Sequence, residues 1–303
     1  MLTAKFCEAF LAVVETGSFE QAAIRLCITA SAVTLRVQSL EKQLGHTLIV
    51  RERPCRATTA GQLLLEHLQH QRLMEQNLLQ QLGGQYDDSS FYKLNIASNA
   101  DSLETWLLPS IRDQLLEHRI TLNLRIDDQS RTHELLETGA VNACISSEAS
   151  TMKGCVTHTL GAMRYQMVAT PEFIQKWFQT GLDRHAFRAA PAVIYNDKDQ
   201  LHSDLMLRLF GLNMQSYPYH FIPSATSFVE AIRLGFGFGI IPEMQIQPQL
   251  QSGELQVLIP EAQTDVMLYW HHWKQQSAPL KVLTDCIVEQ AQALLIQPLL
   301  NLN

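Results

Sequence analysis

The chain has 303 residues, 46% of them hydrophobic and 17% charged, which suits two domains with real cores and excludes a fibrous or disordered chain. The formal net charge of -7 excludes a uniformly basic nucleic-acid coat, but the charge is unevenly spread. Residues 1–58 hold seven Lys/Arg against five Asp/Glu (+2) and the remainder holds 16 against 25 (-9), so the usable signal for phosphate binding is a local basic stripe from Lys42 to Arg56.

Phe6, Ala9, Phe10 and Val13 recur at helical spacing and predict a first helix ending at Thr16-Gly17. Ser18 starts a second, with Gln21 completing a capping-box pattern and Phe19, Ala22, Ala23 and Leu26 as its buried face. After the link Cys27-Ile28-Thr29, a third helix carries Val33, Val37, Leu40 and Leu44 and stops at Gly45. Two short helices joined by a tight turn make a helix-turn-helix. The third would be the recognition helix, with Ala30, Ser31, Thr34, Leu35 and Gln38 outward and Arg36 and Lys42 toward the DNA backbone. Leu48–Pro54 reads as a β-ribbon wing, with Arg51, Arg53 and Arg56 placed to hold phosphates. Ser18, Thr29 and Thr58 complete the candidate DNA-contacting set. Spacing alone leaves a small three-helix bundle that binds protein, or only packs, equally open.

The run from Phe10 to Glu41, continued by Leu44-Gly45, Leu48, Arg51, Thr59 and Gly61, resembles the signature of LysR-type transcriptional regulators over about the first 60 residues. That resemblance implies a DNA-binding winged helix-turn-helix over 1–58. Members of that family often carry Gln at the position of Ala30 and a polar side chain at that of Leu35. Gln reads adenine bidentately and Ala does not, so operator preference is expected to differ from that of relatives.

Residues 59–84 read as a linker built on one long helix of about 23 residues, roughly 35 Å at 1.5 Å per residue, with Thr59 as cap, Leu64, Leu65, Leu68, Leu78, Leu79 and Leu82 as a seam, and Gly83-Gly84 as stop. Such a helix packs either on its own chain or on its copy; the resemblance implies a dimerising linker, in a homodimer or homotetramer. Residues 85–91 are the expected hinge.

Over 92–303 strands and helices alternate. Strands are predicted at Lys93–Ala97, Thr121–Asp127, Val141–Ser146, Tyr165–Ala169, Ala192–Tyr195, Tyr219–Ile222, Gly237–Ile241 and Val266–Trp273. Helices are predicted at Asp101–His118, Thr132–Thr138, Asp204–Phe210, Ser227–Leu234 and Leu280–Leu295. The order predicts a parallel sheet flanked by helices. The resemblance implies a two-lobed α/β effector domain similar to periplasmic binding proteins, with lobe I about 92–163 and 266–303 and lobe II about 164–265. Ligands of such sheets sit at the carboxyl ends of strands. The candidate effector residues there are Ser98, Asn99, Ala100, Asp101, Ser102, Asp127, Asp128, Ser146, Ser147, Ser224 and Thr226, with Trp106 as a wall. Hydroxyls and amides would hold a carboxylate and the acids an ammonium or guanidinium, although each cluster also suits a helix cap.

Asn99–Leu103 with Thr105–Pro109, Leu122–Leu124, Arg131-Thr132 and Met267–His271 resemble the arginine-export regulator, or chromosome initiation inhibitor, subfamily. That resemblance implies a lysine or arginine effector, control of amino-acid export or metabolism genes, and contact with RNA polymerase. The alternatives are an effector-independent architectural DNA-binding protein or a relative that senses another small molecule. Gly235–Gly239 lies between helix and strand, the reverse of a dinucleotide fingerprint. His271 and His272 would point to opposite faces of a strand. No catalytic group, metal-ligand set or cofactor motif is found, and an enzyme is not expected. Six cysteines without a C-x-x-C pair suit a reducing compartment. With no leader-like start and no apolar run near ~18–20 residues, a cytoplasmic, nucleoid-associated protein is expected.

Overall fold

The computed structural model describes residues 2–81, 91–127, 132–137, 139–196 and 199–298. The Gly83-Gly84 stop, Leu82, most of the 85–91 hinge, Asp128 and Thr138 lie outside them, as do the side chains of Leu78 and Leu79. The chain divides into two compact units: one spans Met1–Ser89 with 134–142 and 275–277, the other Ser90–His133, Ala143–Lys274 and Ala278–Asn303.

In the first unit, helices α1 (Ala4–Thr16), α2 (Phe19–Arg25) and α3 (Ala30–Leu44) are followed by strands β1 (Ile49–Val50) and β2 (Arg56–Ala57) and by helix α4 (Thr59–Gln81). Phe10, Val13, Ala22, Ala23, Val33, Val37 and Leu40 form the buried centre, so the three expected helices and their apolar faces are the observed ones. The Ser18 hydroxyl accepts from the Gln21 N–H and donates to the Glu20 carboxylate at 2.7 Å. That bond, more than any other cause, holds the Glu20 carboxyl below its usual range. Thr29 caps α3 through the Ala32 N–H at 3.2 Å. β1 and β2 pair antiparallel, Ile49 opposite Ala57, as a short wing. The cap of α4 is Thr58 rather than Thr59: its hydroxyl accepts the Gly61 N–H at 3.0 Å and donates to the Thr47 carbonyl at 2.6 Å, joining helix and wing. Gly61 is forced by this join, because a Cβ there would sit 2.0 Å from the Leu48 carbonyl oxygen. Leu64 and Leu68 are buried in the same core while Leu63 is exposed, so the start of the linker helix packs on its own chain.

The second unit begins with β3 (Tyr92–Ser98), which leads into α5 (Ala100–Ser102), a π-helical stretch over Leu103–Leu107 and α6 (Leu108–Glu117). β4 (Ile120–Ile126), α7 (Thr132–Glu137), β5 (Ala143–Ser146) and β6 (Cys155–Ala169) follow. Next come α8 (Pro171–Trp177), α9 (Arg184–Ala189), β7 (Ala192–Ile194), α10 (Gln200–Phe210), β8 (Tyr219–Phe221) and α11 (Ala225–Arg233). β9 (Gly239–Pro242), α12 (Glu243–Ser252), β10 (Gln256–Val257), β11 (Thr264–Trp273) and α13 (Ala278–Leu294) end the described chain.

Strands β10, β6, β11, β5, β3 and β4 line up in that order, with β9 also on β6, while β7 and β8 pair separately. β3 pairs parallel with β4 and β5, as expected of the first lobe. The second lobe is not a second parallel sheet. β6 starts ten residues earlier than the expected Tyr165, and its pairing with β11 is antiparallel from Cys155 opposite Trp273 to Tyr165 opposite Thr264. These two strands therefore run through both lobes and tie them into one curled sheet. The register shifts between Leu268 and Tyr269, a β-bulge near the middle of the pair. β11 returns to the first lobe by pairing with β5. Helices α8, α9 and α12 and strand β10 were not expected from the sequence.

Within Gly235–Gly239 the backbone makes close contact with protein: a Cβ on Gly237 would fall 2.6 Å from the Pro191 carbonyl oxygen. The glycines therefore serve a tight connection from α11 into β9. No helix among the described residues is long and apolar enough to cross a membrane.

Candidate DNA interface and effector cleft

On α3, Ser31, Leu35 and Gln38 are exposed, with Leu35 64% accessible, whereas Ala30, Thr34 and Arg36 are half-buried. The Thr34 hydroxyl donates to the Ala30 carbonyl at 2.9 Å, and Ser31 and Thr29 share a hydroxyl contact at 3.0 Å. The surface of α3 is therefore polar at its start and apolar at Leu35. Arg51, Arg53 and Arg56 are all exposed on or beside the wing. The Arg51 guanidinium lies over the Phe19 ring, 5.1 Å from its centroid, which anchors the wing to α2 and leaves the N–H edge free to donate. Ser18, Thr29 and Thr58 are committed to helix starts, so their hydroxyls are engaged within the fold.

In the second unit a cavity of about 340 Å³ opens between the lobes. Of the candidate effector residues, Asn99, Ala100, Asp101, Asp127 and Ser147 line it. Ser98, Ser102 and Ser146 do not: all three are fully buried, and the Ser98 and Ser146 hydroxyls are used by Asn99 and Glu148 backbone groups. Trp106 is 1% exposed in the main core rather than on the cleft. Ser224 and Thr226 are exposed beside it, Ser224 capping α11 through the Ser227 N–H, and only Ala225 between them reaches the cavity.

The sequence reading missed the second-lobe wall, which includes Tyr165, Tyr195, Asn196, Asp199 and Phe228. Tyr195 and Asn196 follow β7 directly, so the rule that ligands meet strand carboxyl ends would have found them. Asp199 caps α10 through the His202 N–H at 3.0 Å. The Tyr165 hydroxyl donates to Asp101 Oδ2 at 2.6 Å and fixes that carboxylate across the cleft. Partial burial, with Asp101 and Glu104 nearby, raises the Tyr195 phenol above its usual range, so it stays protonated and able to donate. Asn99 is 4% exposed, and neither its amide oxygen nor its amide nitrogen has a partner among the described residues. A buried amide in that condition costs stability unless something completes it.

Residues 5–62 match the family model described as bacterial regulatory helix-turn-helix protein, lysR family, and residues 90–292 match the LysR substrate binding domain. The chain is 40% identical over 286 residues to the HTH-type transcriptional regulator ArgP of Photobacterium profundum, covering 94% of this chain and 96% of the relative. It is 38% identical over 290 residues to ArgP of Klebsiella pneumoniae, covering 96% and 97%. The crystal structure of ArgP from Mycobacterium tuberculosis superposes with a TM-score of 0.82 at 36% identity, covering 98% of this chain and all of that one. Full-length LysG from Corynebacterium glutamicum with bound effector Arg gives 0.73 at 34%, with the same coverage. Winged helix-turn-helix, linker helix and two-lobed domain occur here in the order that defines one group of proteins, and the chain belongs to the LysR-type family of DNA-binding transcriptional regulators.

Proposed function

We propose that the chain controls amino-acid export or metabolism genes and that its effector is a basic amino acid, lysine or arginine, seated between the lobes. The observation that carries this is the cleft's composition: Asp101, Asp127 and Asp199 around one cavity that also holds the Asn99 amide, which has no partner among the described residues. Three carboxylates favour an ammonium or guanidinium and disfavour anionic and neutral side chains. The Asn99 amide offers a donor for an α-carboxylate and an acceptor for an α-ammonium. About 340 Å³ is at the small end of ligand pockets and suits an amino acid. The arginine bound to the similar LysG supports the same class.

On the DNA side, Ser31, Leu35 and Gln38 would meet base edges. Arg36, Arg51, Arg53 and Arg56 would hold phosphates, with Ser18, Thr29, Ala30, Thr34 and Thr58 shaping that face. Two copies joined through α4 would read two half-sites, which multiplies a small domain's affinity. The effector would bias one arrangement of the dimer or tetramer, and so its contact with RNA polymerase, in a cytoplasmic, nucleoid-bound setting. A coupling of about 1–3 kcal/mol suffices for such a switch.

The test is fluorescence anisotropy on a duplex selected by the protein from a random pool, titrated without effector, with arginine and with lysine. A shift in affinity of about five-fold or more with arginine or lysine and none with alanine is expected. Identical curves would leave an effector-independent DNA-binding protein as the better reading.

A further inference from the structure

The loop after β5 carries Ser147 into the cleft, and two histidines hold that loop from outside the cavity. His271, on β11, is fully buried. Its Nε2 lies 2.8 Å from the Glu148 carbonyl oxygen and its Nδ1 3.0 Å from the Thr157 hydroxyl on β6. A carbonyl only accepts, so Nε2 carries the proton and Nδ1 accepts from Thr157. Burial, the largest cause, pushes the His271 imidazole down to about 4, which keeps this neutral tautomer in place at ordinary pH. His133, on α7, donates from Nε2 to the Ser150 carbonyl at 3.2 Å and meets the His271 ring edge-on, 4.9 Å between centroids. A third anchor is the Ser146 hydroxyl, which accepts the Glu148 N–H at 3.1 Å. The loop from Ser147 to Ser150 therefore takes its shape from a strand that runs through both lobes, held at His271, two residues past Tyr269 where the β-bulge ends.

We propose that His271 and His133 are positioning residues for the effector: they clamp the 147–150 loop to the shared strand β11 and so set where Ser147 meets the ligand. This rests on the cleft being the effector site. The clamp gives the crossing strands a direct mechanical link to the ligand, because a change in how β11 sits against β6 moves the carbonyl that His271 holds. Thr157 belongs to the same device, since its hydroxyl selects the tautomer that donates to Glu148.

The experiment combines two readouts on the full chain: hydrogen exchange of the peptide covering 146–151, and calorimetric titration with arginine. His271→Leu and His133→Leu should speed exchange of that peptide and weaken arginine by about three- to tenfold, the range of one lost neutral hydrogen bond. His271→Gln places an amide donor near the Nε2 position and should restore both readouts, which a purely packing role would not allow. His133 is only half-buried, so its variant folds if the buried one does not. Unchanged exchange in both Leu variants would overturn the clamp. Faster exchange with an unchanged arginine affinity would overturn the link from loop to ligand. Faster exchange in the variants of a parent chain that itself binds neither arginine nor lysine would uphold the clamp and overturn the effector assignment on which the link depends.

Discussion

His202 gives the effector domain a specific acid sensitivity. It lies on the inner side of α10, 1% exposed, stacked on Phe238 at 5.9 Å between centroids and tilted toward Tyr217 at 6.0 Å. Neither ring nitrogen has a partner among the described residues, and burial lowers its pKa from 6.5 to about 4. The folded state therefore holds the ring neutral while the unfolded chain takes up a proton below about pH 6.5. The resulting stability is fully present above that pH, is lost as the pH falls, and stops declining near pH 4. Linkage with those two pKa values gives a loss of about 2 kcal/mol between roughly pH 7.5 and 5. His271 and His272 are shifted in the same direction, so total acid lability is larger and the His202 share must be read by difference. His202→Phe keeps the aromatic stack and removes the titration. All four tryptophans, Trp106, Trp177, Trp270 and Trp273, lie in the second unit, so urea unfolding followed by tryptophan fluorescence reports that domain. The variant should lose about 2 kcal/mol less than the parent over this pH range. Parallel pH slopes for the two proteins would refute the reasoning that a buried neutral imidazole is responsible.

Other consequences follow from the N-terminal unit. Gly61→Ala drives a methyl into the Leu48 carbonyl and should destabilise the DNA-binding domain by about 1–3 kcal/mol while the tryptophan-reported transition stays put; circular dichroism and fluorescence melts separate the two. Arg51→Ala with Arg53→Ala should weaken DNA binding across sequences and reduce the slope of log affinity against log salt by about two per bound protomer, and an unchanged slope would refute the wing's phosphate role. Leu35→Gln on an exposed position should leave the melting temperature unchanged and alter the sequences selected from a random duplex pool.

The N-terminal domain was legible because its signals are local. Apolar spacing marked three helices, Ser18 marked the start of the second, and Gly17 and Gly45 marked left-handed stops, while the cap at Thr29 was read as part of the link. The one local slip, Thr59 for Thr58, arose because the cap is chosen by the wing carbonyl of Thr47, a contact eleven residues away. The effector domain was legible in its first lobe, where parallel strands alternate with helices. Its second half was misread where chemistry at a distance overrides the local pattern. The front half of β6 is paired along β11, more than a hundred residues later, and no window around Cys155 contains that information. Helix α12 tolerates Pro248 in its interior, against propensity, and was not expected from its sequence. Helix α8 did carry an unused local sign, the Thr170 cap followed by Pro171 at its first position. In the cleft, the first-lobe residues Asn99, Asp101 and Asp127 were found from strand ends. In the second-lobe wall Tyr195 and Asn196 sat at a strand end that the same rule could have used, whereas Tyr165, Asp199 and Phe228 came together only through the fold, and the serines at 98, 102 and 146 are buried where a polar pattern suggested a ligand.

The most direct test of the effector assignment is calorimetric titration of the full chain with arginine, lysine, norleucine and glutamate, repeated for Asn99→Ala and Asp101→Asn. Saturable binding of arginine or lysine, none of norleucine or glutamate, and at least about tenfold weakening in both variants is the expected result, since each substitution removes a group facing the ligand in a desolvated site. Binding of norleucine as tight as that of lysine, or basic amino-acid binding untouched by either substitution, would contradict a cleft that selects its ligand by charge.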